Sequence, residues 1–282
     1  MCSHERRVTK LVKGWYTKAA RDEWNRLERD PYHRIEFITT TYFLEKYLPD
    51  SGLILDAGGG PGRYTIELAK RGYDVVLLDI TPKLLEIAGE EIERAGIRER
   101  VKRIMEGTIV NLSAFDDETF DAVLCLGGPL NHIVDAVQWG KAAQELIRVA
   151  KKGASLFVSV ISRCGLLRTI MLEFPDEIQD CRHHWETGDY IPGTLPRAEV
   201  TGFTASHWFL PEELRGLFER CGVETLDMAA LEGLSSHHEE AVNKLAEDDE
   251  RWEMWVDMLL RTCNHPSILG ISEHILLVGR KS

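Results

Sequence analysis

The sequence predicts an α/β fold of the doubly wound type: a mostly parallel sheet of seven strands with helices on both faces, and helical and aromatic additions that form a lid. Two observations predict this fold. Short apolar segments alternate with helical patterns between residues 51 and 161, which is typical of a parallel sheet covered on both faces. A further helix pattern at 211–221 and strand patterns near 223–230 and 273–280 bring the number of strands to seven.

Each element of the core is bounded by residues that begin or end it. Thr81 followed by Pro82 is a favoured helix start, and Gly72 and Gly96 stand where glycine commonly follows a helix end. Lys-Lys-Gly at 151–153 is predicted to be a turn. The predicted strands are 53–55, 75–79, 101–105, 120–126 and 155–160, and the predicted helices are 62–71, 82–95 and 135–150.

Three segments interrupt this alternation, and we interpret them as additions. The chain then divides into an N-terminal helical lid segment at 1–50, an α/β core at 51–161, an insertion or substrate cap at 162–210, and a C-terminal completion of the sheet at 211–282 with an inserted helix near 240–262. Six of the seven tryptophans lie in the additions. Ordinary packing of the added helices and the walls of a substrate pocket are both open interpretations of that bias.

Composition narrows the class of function. The net charge of −12 argues against a nucleic-acid partner, because binding phosphates needs a basic surface. The sequence has no run of about 18 apolar residues, so it predicts no membrane span. The six cysteines form no C-x-x-C pair, and the N-terminus lacks the apolar segment of a secretory signal. We therefore expect a cytoplasmic protein without structural disulfides.

The most informative motif follows the first strand, where Asp56 precedes glycines at 58, 60 and 62. A strand that enters such a loop and then a helix lets a nucleotide approach the backbone closely. The dinucleotide pattern Gly-x-Gly-x-x-Gly would need glycine at position 63, which is Arg63. An acid two residues before the first glycine would repel a pyrophosphate, whereas it suits S-adenosylmethionine, which carries an ammonium group and no phosphate. The motif therefore favours S-adenosylmethionine over NAD.

Asp79 gives a second indication of a nucleoside. It ends the second strand about 20 residues after the loop, where a carboxylate can accept hydrogen bonds from both ribose hydroxyls. Enzymes that bind NAD share this feature, so Asp79 indicates a nucleoside without distinguishing the two cofactors.

Together these features resemble the class I S-adenosylmethionine-dependent methyltransferases, of the small-molecule type, over about residues 53 to 160. LILDAGGGPGRYTIELAKRGYDVVLLDI is similar to the first two motifs of that family, and FDAVLCLGGPLNHI is similar to its fourth strand. The resemblance implies a Rossmann-like methyltransferase fold and S-adenosylmethionine as cofactor. The cofactor-binding residues that it implies are Asp56 at the ammonium, Gly58 and Gly60 beneath the cofactor, Asp79 at the ribose, and Leu126 and Gly127 beside the sulfur.

One position departs from the family pattern. Where the family often has an Asp for the adenine amino group, this chain has Thr108. A threonine hydroxyl can accept the same hydrogen bond, and the backbone amide of Ile109 can meet the adenine ring. We therefore expect Thr108 and Ile109 at the adenine.

The loop after the fourth strand, 127–132, lies beyond the carboxyl ends of the strands, where an open α/β sheet binds its ligands. His132 in this loop is the candidate catalytic base or acceptor contact, with bracing of the next helix as the alternative. The further candidates for substrate binding are Asn131, His207, Trp15 and Tyr16. Trp15 and Tyr16 would belong to a lid, and simple packing explains them equally well.

No metal site is expected. Two histidine pairs occur, 183–184 near Cys181 and 237–238, but adjacent side chains rarely share one ion.

The sequence thus predicts methyl transfer from S-adenosylmethionine to a small-molecule acceptor by in-line displacement. A methyltransferase of RNA or protein is one alternative, and a non-catalytic S-adenosylmethionine-binding sensor or partner protein is another. The acceptor atom and the oligomeric state are not predicted.

Overall fold

A computed structural model describes residues 3–193 and 203–282. Its helices are α1 (Ser3–Lys18), α2 (Ala20–Asn25), α3 (Pro31–Tyr47), α4 (Arg63–Lys70), α5 (Pro82–Arg94), α6 (Ala136–Val149), α7 (Arg163–Glu173), α8 (Cys181–Thr187), α9 (Pro211–Glu219), α10 (Glu239–Leu245), α11 (Asp249–Thr262) and α12 (Pro266–Leu269). Its strands are β1 (Leu53–Ala57), β2 (Asp74–Asp79), β3 (Val101–Glu106), β4 (Phe120–Cys125), β5 (Ala150–Ile161), β6 (Asp189–Tyr190), β7 (Ser206–His207), β8 (Val223–Ala230) and β9 (His274–Lys281).

Within the described residues, seven strands form one sheet in the order β3-β2-β1-β4-β5-β9-β8. β9 runs antiparallel to β5 and β8, and the other neighbours are parallel. The prediction of a doubly wound, mostly parallel sheet of seven strands is confirmed. The strand order reverses between β1 and β4, and such a reversal opens a crevice at the carboxyl ends of the strands.

Alternate residues of the central strands face opposite sides of the sheet. Leu55 and Val123 belong to one apolar cluster, whereas Ile54 and Ala122 belong to a second. All four are buried, because helices cover both faces. This two-sided burial holds the strand ends, and so it also positions the loops that follow them.

The predicted turn at 151–153 is wrong, because β5 runs through it. The Lys-Lys-Gly segment is a bulge: Phe120 pairs with Ala150, whereas Ala122, two residues later, pairs with Ser155. The glycine of the bulge has a φ of +77°. Polar residues beside a glycine with positive φ are typical of turns, but they equally suit an exposed bulge.

The predicted helix near 240–262 is two helices, α10 and α11. Asp248 separates them: its backbone is extended, and its carboxylate accepts a 3.0 Å hydrogen bond from the backbone N–H of Arg251, which is an N-cap. The tryptophans Trp252 and Trp255 nevertheless pack with Leu259 against residues of α3. The predicted apolar face therefore exists, on a shorter helix.

The N-terminal helices dock onto the sheet and its helices. α1 and α2 contact α5, and α3 contacts β9 and α10. The described part of the predicted insertion at 162–210 forms α7, α8 and a ribbon of β6 with β7, whereas its residues 194–202 lie outside the described residues. Among the described helices, we find none that is long and apolar enough to cross a membrane.

Candidate active site

A cavity of about 720 Å³ lies at the carboxyl ends of the parallel strands. The loops after β1, β2, β3 and β4 form its floor, and one face of α1 together with residues of α2 and the turn after it closes the other side. Its position matches the crevice expected where the strand order reverses.

The glycine loop after β1 adopts backbone conformations that require glycine. Gly58 and Gly60 have φ values of +81° and +55°. A Cβ atom on Gly58 would lie 2.4 Å from the Pro129 side chain, so the loop also packs tightly against the loop after β4. The backbone of the loop can thus reach the cavity without a side chain in between.

Asp79 faces the cavity from the end of β2. Its Oδ2 accepts a 3.0 Å hydrogen bond from the Gly60 N–H, and its Oδ1 accepts a 2.7 Å bond from the Thr81 N–H. Burial raises the pKa of Asp79 to about 6, although these backbone bonds oppose the rise. Because a carboxylate has about four acceptor positions, both oxygens can still accept a bond from a ligand.

Asp56 does not line the cavity. Its carboxylate is completely buried beneath the loop, so close that a Cβ atom on Gly59 would lie 2.4 Å from it. Oδ2 accepts a 2.6 Å bond from the Thr65 hydroxyl, and Oδ1 is buried without a partner among the described residues. Burial raises the pKa of Asp56 to about 6. A direct contact of Asp56 with an ammonium group stays a prediction, since the loop backbone at 58–60, and not Asp56, lines the cavity.

The loop after β3 supplies another wall of the cavity. Thr108 and Ile109 both line it. Lys13 of α1 reaches across to Glu106 with a 2.5 Å N–O distance, which joins α1 to the end of β3. The adenine position predicted for Thr108 and Ile109 therefore lies under the first helix.

The loop after β4 brings the predicted sulfur-side residues and the candidate base to the same cavity. Leu126 and Gly127 line it, and the Gly127 N–H donates to the Ser159 hydroxyl at 2.7 Å. A helical turn follows and carries His132 into the wall. The loop after β4 thus lines the cavity from Leu126 and Gly127, near the glycine loop, to the imidazole of His132.

His132 has a defined tautomer in this structure. Its Nδ1 lies 3.0 Å from the Ala205 carbonyl oxygen, which can only accept, so Nδ1 carries the proton. Its Nε2 then accepts the 2.8 Å hydrogen bond that the Tyr16 hydroxyl donates. Burial lowers the pKa of His132 and raises that of Tyr16, so both are neutral near pH 7.

A family model described as a methyltransferase domain matches residues 54–153. The α/β core is a class I methyltransferase domain. The ubiquinone biosynthesis O-methyltransferase of Hahella chejuensis (strain KCTC 2396) is 32% identical over 136 residues, which are 48% of this chain and 54% of that protein. The chain spans about half the length of the curated relatives it matches.

Solved structures resemble the methyltransferase domain with its additions. An S-adenosylmethionine-dependent methyltransferase from Methanosarcina mazei superposes with a TM-score of 0.58 at 21% identity, covering 85% of this chain and 96% of that one. The 1,6-didemethyltoxoflavin-N1-methyltransferase of Burkholderia thailandensis, solved with 1,6-didemethyltoxoflavin and S-adenosylhomocysteine, has a TM-score of 0.56 at 16% identity, covering 100% of this chain and 91% of that one. At these identities the likeness shows the fold.

The cofactor of a class I methyltransferase domain is S-adenosylmethionine, and the cavity residues fit it. Asp79 offers acceptors for ribose hydroxyls, and the glycine loop exposes backbone next to it. Oδ1 of Asp56, which is buried without a partner among the described residues, places a negative group beneath that loop. Such a group would favour the cationic ammonium group of the cofactor above the loop.

Three predicted substrate contacts, Asn131, His207 and Trp15, do not line the cavity, and a substrate role for them stays a prediction. Asn131 is completely buried and bonds the Ile161 backbone and the His207 carbonyl, so it braces its loop against β5 and β7. His207 is paired with Asp189 at 2.6 Å. Trp15 packs edge-on against Phe203, with ring centroids 5.6 Å apart.

The sequence did not predict several charged residues of the cavity, among them Glu23 and Arg26. The Arg26 guanidinium donates to Glu23 at 3.1 Å and also bonds Glu36, which is buried. Their i, i+3 spacing is the only signal in the sequence, and it is common on helix surfaces. Their position in the cavity follows from the docking of α2, which no local motif predicts.

The buried Glu36 belongs to a charged network beside the methyltransferase cavity. Ligand atoms of Glu36, Glu232 and His274 lie within 4.8 Å of one another. The Arg26 guanidinium already bonds Glu36, and His274 bonds Glu232 at 2.7 Å. The two carboxylates raise the pKa of His274 to about 9, so cations of the chain balance them at neutral pH.

A second group, formed by Asp30, His33 and Glu239, contacts Arg29 in the same way. Neither group includes the histidine pairs at 183–184 and 237–238. The expectation that no metal is bound stays a prediction.

Proposed function

We propose that the chain transfers a methyl group from S-adenosylmethionine to a small-molecule acceptor by in-line displacement inside this cavity. One observation carries the proposal. A single cavity joins the nucleoside-type residues Asp79 and Thr108 to the half-buried pair of Tyr16 and His132, across the end of β4.

The cofactor supplies an activated methyl group when bound, so the chain mainly has to align the acceptor and exclude water. Seven residues of the cavity would hold the cofactor: Gly58, Gly60, Asp79, Thr108, Ile109, Leu126 and Gly127. Asp56 would act through the loop above it. His132 would be the base or the acceptor contact, and Tyr16, which lines the same cavity, is hydrogen-bonded to it.

A small acceptor fits the enclosure of the site. Pockets for one drug-sized ligand begin at about 300 Å³. The 720 Å³ cavity can therefore hold a cofactor and a second small molecule. The face of α1 covers one side of it, which disfavours a chain of RNA or protein as the acceptor, and the net charge of −12 also disfavours RNA.

The names of two similar proteins also support a small-molecule acceptor. One is a ubiquinone biosynthesis O-methyltransferase, and the other is crystallised with 1,6-didemethyltoxoflavin. We further propose that residues 1–50 act as the lid of the site, and that the protein works in the cytoplasm, where the five described cysteines would stay free.

The proposal is tested by calorimetric titration of the whole chain with S-adenosylmethionine, S-adenosylhomocysteine and NAD, followed by an assay for S-adenosylhomocysteine release with small-molecule acceptors. Micromolar binding of the first two ligands without NAD, and turnover with an acceptor, are expected. Binding of NAD alone would refute the cofactor assignment. Cofactor binding without turnover on any acceptor would favour a sensor or partner protein.

A further inference from the structure

The acceptor side of the cavity contains a phenol hydrogen-bonded to an imidazole, contributed by segments far apart in the chain. Tyr16 lies on α1 and His132 follows β4, yet their side chains meet at 2.8 Å. Because Nδ1 of His132 donates to the Ala205 carbonyl, Nε2 is the basic nitrogen of this ring, and it accepts the hydrogen bond of the Tyr16 hydroxyl. The phenol oxygen can accept a further hydrogen bond, and no described residue donates one to it.

We propose that Tyr16 and His132 form a proton relay that deprotonates the acceptor, and that the acceptor is a compound with an acidic hydroxyl, of the phenol class. Tyr16 is the catalytic residue that touches the acceptor, and His132 acts through it. The inference rests on the proposed methyltransferase function.

In one turnover, the relay moves two protons and one methyl group. The acceptor hydroxyl gives its proton to the Tyr16 oxygen, and Tyr16 passes its own proton to Nε2 of His132. The acceptor oxygen forms a bond to the methyl carbon as the carbon–sulfur bond breaks, and the electron pair of that bond stays on the sulfur. His132 becomes an imidazolium, with Nδ1 still donating to Ala205, and later loses its proton to water.

The charges around the pair suit this change. The charges of Glu23 and Asp79 raise the pKa of the Tyr16 hydroxyl, and that of Arg26 lowers it. The charge of Glu23 also opposes the lowering of the His132 pKa by burial. Glu23 can therefore stabilise the imidazolium. Before the reaction, burial lowers the pKa of His132 and raises the pKa of Tyr16, so the pair rests in its neutral form.

The weakness of this base limits the acceptor class. A phenol has a pKa of about 10 in water, so its hydroxyl gives up a proton more readily than that of an aliphatic alcohol, and it suits a weak base best. An aliphatic alcohol is a far weaker acid than a phenol, so transfer of its proton to an imidazole is more strongly uphill, and we expect phenols to be the faster acceptors. An aliphatic amine is charged at neutral pH, with a pKa of about 10.4 for a lysine-like amine, and it would place a second cation beside the sulfonium.

The test compares the whole chain with Tyr16→Phe and His132→Gln on a panel of simple phenols, aliphatic alcohols and aliphatic amines. Tyr42→Phe, on the exposed side of α3, is the matched control. We expect turnover of phenols, a loss of about 100-fold in kcat for both variants, and unchanged calorimetric affinity for S-adenosylmethionine.

The pH profile separates a relay from a structural role. With the relay, kcat for a phenol should be nearly flat from about pH 7 to about pH 9. Without it, in Tyr16→Phe, kcat should rise about tenfold per pH unit, because only the acceptor already ionised reacts. A profile and kcat unchanged by Tyr16→Phe would refute the relay while leaving the methyltransferase proposal intact.

A measurement without turnover provides a second check. In the ¹⁵N NMR spectrum of the imidazoles, His132 should be neutral with its proton on Nδ1, and its Nε2 signal should shift in Tyr16→Phe. A proton on Nε2 would refute the relay. Cofactor binding with turnover of amines or alcohols but of no phenol would refute the acceptor class, whereas failure to bind S-adenosylmethionine at all would refute the proposed function.

Discussion

The two halves of the cavity are built in different ways. In the nucleoside half, the contacts join loops that follow neighbouring strands, and Gly60 and Asp79 are only 19 positions apart. In the acceptor half, Tyr16 and His132 meet across 116 positions, and Arg26 is held by Glu36 on another helix. The first half depends on the sheet, and the second depends on how the N-terminal helices dock.

This difference implies that the two halves can be disturbed separately. A change in the loops after β1 and β2 should weaken cofactor binding directly. A change in the network that anchors α2 and α3 should alter the acceptor side while the cofactor residues keep their places. Variants in each half should therefore affect cofactor affinity and the acceptor side to different extents.

The largest effect is expected for Gly58→Val. The residue has a φ of +81°, and a Cβ atom there would lie 2.4 Å from Pro129. Strain and overpacking of this size cost on the order of 1–3 kcal/mol each, so affinity for S-adenosylmethionine should fall by about 100-fold or more by calorimetry. Gly89→Ala is the control, because a Cβ atom at that helical position meets nothing within 4 Å. Native affinity in Gly58→Val would contradict the assigned loop.

Asp79→Ala should have the next largest effect. It removes the acceptor for the ribose hydroxyls and for the Gly60 and Thr81 amides, at a cost of about 1–3 kcal/mol in cofactor affinity. The control is Asp74→Ala at the other end of β2, where the carboxylate pairs with Lys102 outside the cavity. Equal affinities of the two variants would exclude Asp79 from the ribose site.

The sequence allowed the core to be predicted well because its signals are local. Apolar runs mark the strands, and the glycine loop with Asp79 marks the cavity end of β1 and β2. The errors at 151–153 and at 240–262 concern a bulge and a cap, which have the same residue preferences as a turn and a helix face.

The acceptor half was only partly predictable, because its residues meet through tertiary packing. The loop after β4 drew attention to both Asn131 and His132, but neighbouring residues of a tight turn point in different directions, and only His132 faces the cavity. Glu23 and Arg26 belong to no motif. A single sequence contains no signal for the docking of α2 beside Gly127.

Alkaline pH should weaken the docking of the N-terminal helices. The pKa of His274 is raised from 6.5 to about 9 by Glu36 and Glu232, so its contribution is complete below about pH 6.5 and is lost as the pH rises through 9. Because Arg26 can partly replace the lost charge, we expect the free energy of unfolding to fall by about 1–2 kcal/mol between pH 7 and pH 10.

His274→Gln should remove most of that pH dependence in thermal unfolding monitored by the fluorescence of the seven tryptophans, which include Trp15 and Trp24 of the docked helices. His183→Gln, at an exposed position of α8, is the control and should keep it. The same pH slope in His274→Gln and in the unmodified chain would show that this network does not anchor the acceptor half.

The smallest effect is expected at the mouth of the nucleoside half, where α1 touches β3 through Lys13 and Glu106. Both side chains are partly exposed, at 34% and 53%, so water and salt screen their attraction. Lys13→Ala should weaken S-adenosylmethionine binding by about fivefold at most, and the difference should vanish in about 1 M salt. A larger loss that persists in salt would mean that Lys13 contacts the cofactor itself, and that the nucleoside half, too, depends on the docked helix.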